Sequence, residues 1–178
     1  MSCLPKSRRT RAGRSRRTRS CANLAIFYEN GTGVKKDLAR AASLYDKSCK
    51  LRSGNGCNNL GVMYHEGDGV AQDLTHAAAL FSTSCDLDLA AGCRNLALVS
   101  ASGQGAEKDP ARAARLFERS CTLGSAQACH RIADSYTAGD GVPVDAARAA
   151  TFRRRACELG RTEDCVASAS SSEDTAAT

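Results

Sequence analysis

The residues best suited to chemistry in this chain are its ten cysteines among 178 residues. Eight of them form pairs set eight residues apart: Cys49 and Cys57, Cys85 and Cys93, Cys121 and Cys129, Cys157 and Cys165. Such pairs can serve as disulfides, as metal ligands or as thiol nucleophiles. Zinc sites usually space paired ligands by two to four residues, a shorter interval than this one. The three histidines, His65, His76 and His130, do not recur in step with the cysteines either. A turn that folds the two members of a pair back on each other brings their Cβ atoms to disulfide distance. Disulfides are therefore the expected state, with free core thiols and metal binding as the alternatives. Regular disulfides imply an oxidising compartment, periplasmic or extracellular. No secretory signal is legible: the pairs Arg8-Arg9 and Arg16-Arg17 precede only the short stretch Cys21 to Tyr28, which Asn23 interrupts.

The elements that position these cysteines follow from a period of 36. Cysteines at 21, 57, 93, 129 and 165 keep this spacing, as do those at 49, 85, 121 and 157. Gly31, Gly67, Gly103 and Gly139 recur with it, and so do Asp37, Asp73, Asp109 and Asp145. Ala41, Ala77, Ala113 and Ala149 each precede a second alanine. Self-similarity at a fixed period of this length signals a repeat architecture. In one unit, Cys57, Leu60, Gly61 and Tyr64 lie on one helical face. Gly67 then offers a left-handed stop and Asp73 an N-cap. This predicts helix A near Cys57–Glu66 and helix B near Leu74–Asp86. Such a hairpin cannot bury its own core, but stacked hairpins can. The expected fold is all-α, a right-handed α-solenoid of about four helix-turn-helix repeats stapled by disulfides. The units are 21–56, 57–92, 93–128 and 129–164, with a terminal stub to residue 167.

The repeat also varies. The aromatic series Tyr45, Phe81, Phe117 becomes Arg153 in the last unit, as suits a capping helix. Tyr28, Tyr64 and Tyr136 give way to Ser100, and Val34, Val70 and Val142 to Ala106, so the third unit is expected to be looser.

The net charge of +6 sits at one end. Residues 1–20 hold eight basic residues and no acid, which leaves the remainder at −2. A disordered basic tail is expected over 1–20 and a Ser/Ala-rich disordered tail over 168–178. The basic tail carries no aromatic residue to stack on bases, which weighs against nucleic acid as a partner. No apolar run approaches a membrane span. Cys3 and Cys21 stay unassigned. The partner that the period demands for Cys21 falls on Gly13, an anomaly that a start inside a longer array would explain.

The run Cys57-Asn58-Asn59-Leu60-Gly61, with Tyr64, Gly67-Asp68-Gly69-Val70, Asp73, Ala77, Leu80-Phe81, Cys85 and their copies, resembles the Sel-one-like repeat family, a relative of the tetratricopeptide repeat. The paired cysteines look most like its disulfide-rich branch, typified by Helicobacter-type cysteine-rich proteins. The resemblance implies a right-handed superhelix, one disulfide per unit and protein–protein interaction. It also implies two alternative roles: a β-lactamase or penicillin-binding activity for some members, and respiratory-chain assembly for a mitochondrial branch.

Residues for catalysis are not evident. No lysine has a serine three residues before it, and Lys-Thr-Gly is absent. His76 and His130 read as surface or packing residues, and no cofactor is expected. The expectation is a monomeric, non-catalytic module that binds a protein or peptide on the concave face of its A helices. The positions on that face are Asn23, Asn59, Asn95 and Arg131, and Phe27, Met63, Val99 and Ser135. Asparagine can pair with a peptide backbone, while Met and Phe supply adaptable apolar contact. The competing reading is that these asparagines merely cap or solvate helix starts.

Overall fold

The computed structural model describes residues 11–165, with side chains from Cys21 onward. Eight helices follow one another: α1 (Arg11–Asn30), α2 (Leu38–Lys50), α3 (Gly54–Glu66), α4 (Leu74–Asp86), α5 (Ala90–Ser102), α6 (Pro110–Thr122), α7 (Ala126–Ala138) and α8 (Ala146–Glu158). A ninth opens at residue 163. No strand occurs among the described residues. Cys3 and the tail expected over 168–178 lie outside them. The tail expected over 1–20 is different in its second half, because α1 begins at Arg11. Arginine is a good helix former, and the helix extends backwards through it from the packed segment.

Seven of the helices are 13 residues long, and recurring side chains set most of their ends. Each B helix starts under an aspartate. Asp37, Asp73, Asp109 and Asp145 accept from the backbone N–H of Arg40, His76, Arg112 and Arg148 at 2.8–2.9 Å. That satisfies one of the donors a helix start leaves unpaired. Helix α3 begins three residues before the expected Cys57, because Ser53 caps it through the Gly56 N–H. Ser125 caps α7 through the Ala128 N–H in the same way. Both of these helices end at a left-handed glycine, Gly67 at φ 81° and Gly139 at φ 76°, a conformation glycine enters without steric cost.

The described residues divide into two compact units, 11–92 and 93–165. In the first, Ala25, Tyr28, Ala41, Leu44, Tyr45, Leu60, Met63 and Leu80 share one core. Gly61 permits a close helix approach in this unit, since a Cβ on it would meet Phe81 Cε1 at 2.7 Å. In the second unit, Ala97, Ala113, Ala114, Phe117, Ile132, Tyr136, Ala149 and Ala156 form the core. Small residues on facing helices give the apolar side chains between them tight contact. Ser100 is fully buried here, where other repeats place tyrosine.

The described cysteines are oxidised. Cys49–Cys57, Cys121–Cys129 and Cys157–Cys165 are bonded, with Cα atoms 4.5, 4.6 and 4.9 Å apart. Cys21, Cys85 and Cys93 are disulfide-bonded as well. The link from Cys49 to Cys57 ties the end of α2 to the first turns of α3, and the other two repeat that geometry at the ends of α6 and α8. In the chain-entropy picture, each loop of this size contributes about 2.5 kcal/mol. With only 4% aromatic residues, the chain gains from these links some of the cohesion that a larger core would supply.

Candidate functional site

The side chains expected to contact a partner separate into two groups. In the first unit, Asn23 is exposed and the Phe27 ring is 46% exposed. Asn59 is half-buried: it hydrogen-bonds the Tyr45 hydroxyl and accepts from Asn58 Nδ2 at 3.2 Å. In the second unit Arg131 is exposed, and Asn95 and Ser135 are half-buried. Ser135 Oγ donates to the Arg131 carbonyl at 3.2 Å.

Met63 and Val99 are different, at 2% and 4% exposed. They are core residues, not contact residues. Met63 packs into the cluster of Ala25, Tyr28 and Tyr45, so the preceding repeat covers it. Leu98, one position earlier than Val99, is the apolar side chain that α5 does present, at 41% exposed.

The first unit buries one titratable group with a strong bias. Burial, followed by the Tyr45 hydroxyl's 2.5 Å bond to Glu29 Oε2, raises the phenol well above the usual tyrosine range. Both effects disfavour the phenolate. This is a structural hydrogen bond inside a helix pair.

The second unit holds a cavity of about 480 Å³, lined by Arg94, Asn95, Leu98, Phe117, Gln127, His130, Arg131 and Arg161. It combines residues of α5 and α7 with Phe117 of α6 and Arg161 from the turn after α8. Arg94 Nη1 donates to Gln127 Oε1 at 2.6 Å. Behind the cavity, His130 Nδ1 lies 2.7 Å from Asp164 Oδ1, and His130 Nε2 lies 3.3 Å from Asp134 Oδ2. Arg161 Nε sits 2.8 Å from Asp164 Oδ2, an ion pair that lacks hydrogen-bond alignment. Arg153, in the aromatic position of the earlier repeats, reaches Asp134 at 3.5 Å. Of the cavity residues, the sequence pattern singles out only Asn95 and Arg131. His130, a surface or packing residue by that pattern, is the polar joint of the last repeat.

Both ring nitrogens of His130 face carboxylates, so the imidazole is engaged by acids and not by a serine or cysteine nucleophile. Among the described residues no group of three or more His, Cys, Asp and Glu is placed to hold a metal ion. The arrangement is suited to binding polar, anionic groups through guanidinium and amide donors.

Comparison with known proteins agrees with the repeat geometry. The family model of the Sel1 repeat matches residues 18–53, 54–89, 90–125 and 126–160. No curated protein matches the chain. Among solved structures, the chain is similar to c5321, a protective antigen present in uropathogenic Escherichia coli strains that displays an SLR fold. The two share 25% identity at a TM-score of 0.78, over 86% of this chain and 34% of that one. It is similar to a Sel1 repeat protein from Oxalobacter formigenes at 26% identity and TM-score 0.77, over 83% of this chain and 60% of that one. Helicobacter pylori cysteine rich protein B matches at 29% identity and TM-score 0.60, over 76% of this chain and 97% of that one. The chain therefore spans about a third and three fifths of the first two relatives. Four successive matches, each falling on one helical hairpin with its aspartate cap, establish that the chain belongs to the Sel1 repeat family.

Proposed function

We propose that the chain is a non-catalytic binding module for a protein or peptide, and that its contact surface is the exposed side of its A helices. Sel1 repeats generally mediate protein interactions. The observation that carries the reading is the cavity of the second unit. It gathers the amides of Asn95 and Gln127, the guanidinium groups of Arg94 and Arg131, and the exposed Leu98 on adjacent A helices. Amides match a peptide backbone, cations match acidic groups, and Leu98 offers apolar area. In the first unit Asn23 and Phe27 are presented from the equivalent helix. The oxidised cysteines suggest an oxidising compartment, so the expected partner is periplasmic or extracellular.

The test is selection of binders from a random displayed-peptide library against the oxidised chain, followed by anisotropy titration. Asn95→Ala and Arg131→Ala should each weaken binding by about tenfold, the scale of one buried polar contact. Arg115→Ala, an exposed change on α6 outside the cavity, should leave it unaltered. Binders lost with Arg115 and indifferent to Asn95 and Arg131 would place the surface elsewhere. No binder at all would defeat the reading.

A further inference from the structure

We infer that the cavity between α5 and α7 is a carboxylate site that takes the C-terminal residue of a peptide partner. The inference rests on the binding-module reading and assigns that site its ligand chemistry. Three guanidinium groups line the cavity, and their charges are not equally available. Arg161 is held by Asp164 at 2.8 Å and Glu163 at 2.9 Å. Arg94 meets a neutral amide oxygen, that of Gln127. Arg131 is exposed, and among the described residues neither it nor Arg94 pairs with a carboxylate. The nearest acid on α7, Asp134, is already shared by His130 and Arg153. Two cations thus face one concavity without a counter-charge from the protein.

This pairing is not a by-product of the repeat. Two repeats earlier, the positions of Arg94 and Arg131 hold Ala22 and Asn59. A methyl and an amide there cannot neutralise an anion. Guanidinium groups bind carboxylates through paired N–H donors, which a point charge does not match.

The rest of the lining selects among anions. Leu98 is 41% exposed and the Phe117 ring closes the floor at 6% exposed. The terminal residue of a peptide carries its carboxylate and an apolar side chain on one carbon, so it can meet cations and apolar floor together. The Asn95 and Gln127 amides are then placed for the preceding peptide group. A bare phosphate uses only the cations. At about 480 Å³ the cavity has the size of a small-ligand pocket, which suits a chain end better than a folded surface.

The probes are N-acetyl-leucine, its neutral amide N-acetyl-leucinamide, and inorganic phosphate, titrated into the full oxidised chain labelled with nitrogen-15. The arginine side-chain N–H signals are read. N-acetyl-leucine should shift the Arg94 and Arg131 signals saturably, and the amide should bind at least tenfold more weakly. The R94Q/R131Q double variant should lose the response and R115Q should keep it. If the double variant does not fold, the acid-against-amide comparison on the unaltered chain still decides. Equal binding of acid and amide overturns the site, as does phosphate binding as tightly as the acid. Library-selected peptides should lose at least tenfold in affinity on C-terminal amidation. Peptides that bind equally well when amidated overturn the carboxylate site and leave the module reading standing. Saturable N-acetyl-leucine binding with no peptide retained overturns the peptide assignment and the module reading together.

Discussion

His130 Nδ1 approaches Asp164 Oδ1 at 2.7 Å, a contact that fastens α7 to the start of the ninth helix. Asp164 stands where the 36-residue period elsewhere places Gly56, Gly92 and Ala128. Gly56 and Gly92 face Ser48 and Ser84, and a Cβ on Gly56 would already meet the Ser48 Cβ at 2.7 Å. In the last repeat the serine becomes Ala156, fully buried. Shrinking one side chain makes room for the other, and the aspartate turns outward to His130 and Arg161.

Asp164→Ala should therefore destabilise the last repeat by about 2 kcal/mol, since it leaves a histidine and an arginine without their buried acceptor. The Asp164 side chain is only 4% exposed, so solvent screening discounts little of that. Asp164→Asn keeps the shape and one acceptor oxygen and should cost about half as much. Urea unfolding measures both. Equal stability of the two variants and the unaltered chain would show that the joint contributes nothing.

Gly69 and Gly33 occupy the same repeat position with φ of 69° and 71°. A Cβ on Gly33 meets nothing within 4 Å, whereas one on Gly69 would sit 2.5 Å from the Leu38 carbonyl carbon, in the first turn of α2. Gly33→Ala should cost about 1 kcal/mol, the penalty of a left-handed non-glycine residue. Gly69→Ala carries the same penalty plus a clash with backbone that cannot rotate away, and should cost at least about 3 kcal/mol. Thermal melting of the two variants should give clearly separate midpoints. Coinciding midpoints would mean that α2 and the turn of the next hairpin are not in close contact.

These comparisons also show what the sequence carries and what it hides. The aspartate caps, the cysteine pairs and the turn glycines are local devices, acting within about ten residues, and their 36-residue recurrence makes them legible. Burial on the A helices is not local. Phe27 and Met63 share one repeat position, yet one is 46% exposed and the other 2%, because a preceding hairpin covers Met63. A helical wheel assigns both the same face. Arg94 and Gln127 meet across 33 residues of sequence, so their cavity emerges only when α5 and α7 are set side by side. The Ser53 and Ser125 caps are hard to see in the repeat because the same position holds Leu89 and Arg161 in the other units.

Tyr45 should make the first unit sensitive to alkali. Its folded phenol keeps its proton above the range, near pH 10, in which unfolded tyrosine releases it. The folded state then binds more protons than the unfolded one, so stability falls as pH rises above about 10 and is complete below it. Tyr45→Phe removes the 2.5 Å bond to Glu29 and should cost about 1 kcal/mol at neutral pH. Phe81 and Phe117 show that the ring alone fits this repeat position. The difference between the two proteins should narrow as pH is raised through that range, followed by denaturant unfolding at each pH. A constant gap would mean that the Tyr45 phenol titrates alike in both states.

Ser100 is the one place where the repeat puts a buried hydroxyl in a tyrosine's position. It is 0% exposed, and its Oγ has no hydrogen-bond partner among the described residues. Its backbone carbonyl is used, accepting from Asp109 N–H at 2.8 Å, the same bond that Tyr64 and Tyr136 make to Asp73 and Asp145. The position thus needs only its main chain, and the hydroxyl is buried without return. An unpaired buried hydroxyl costs about 1–3 kcal/mol. Alanine also has the higher helix propensity, by a few tenths of a kcal/mol. Ser100→Ala should therefore stabilise the chain by about 1 kcal/mol, a rise of roughly 2–4 °C in the melting midpoint for a protein of this size. An unchanged or lowered midpoint would show that the hydroxyl is satisfied in solution, with bound water as the acceptor.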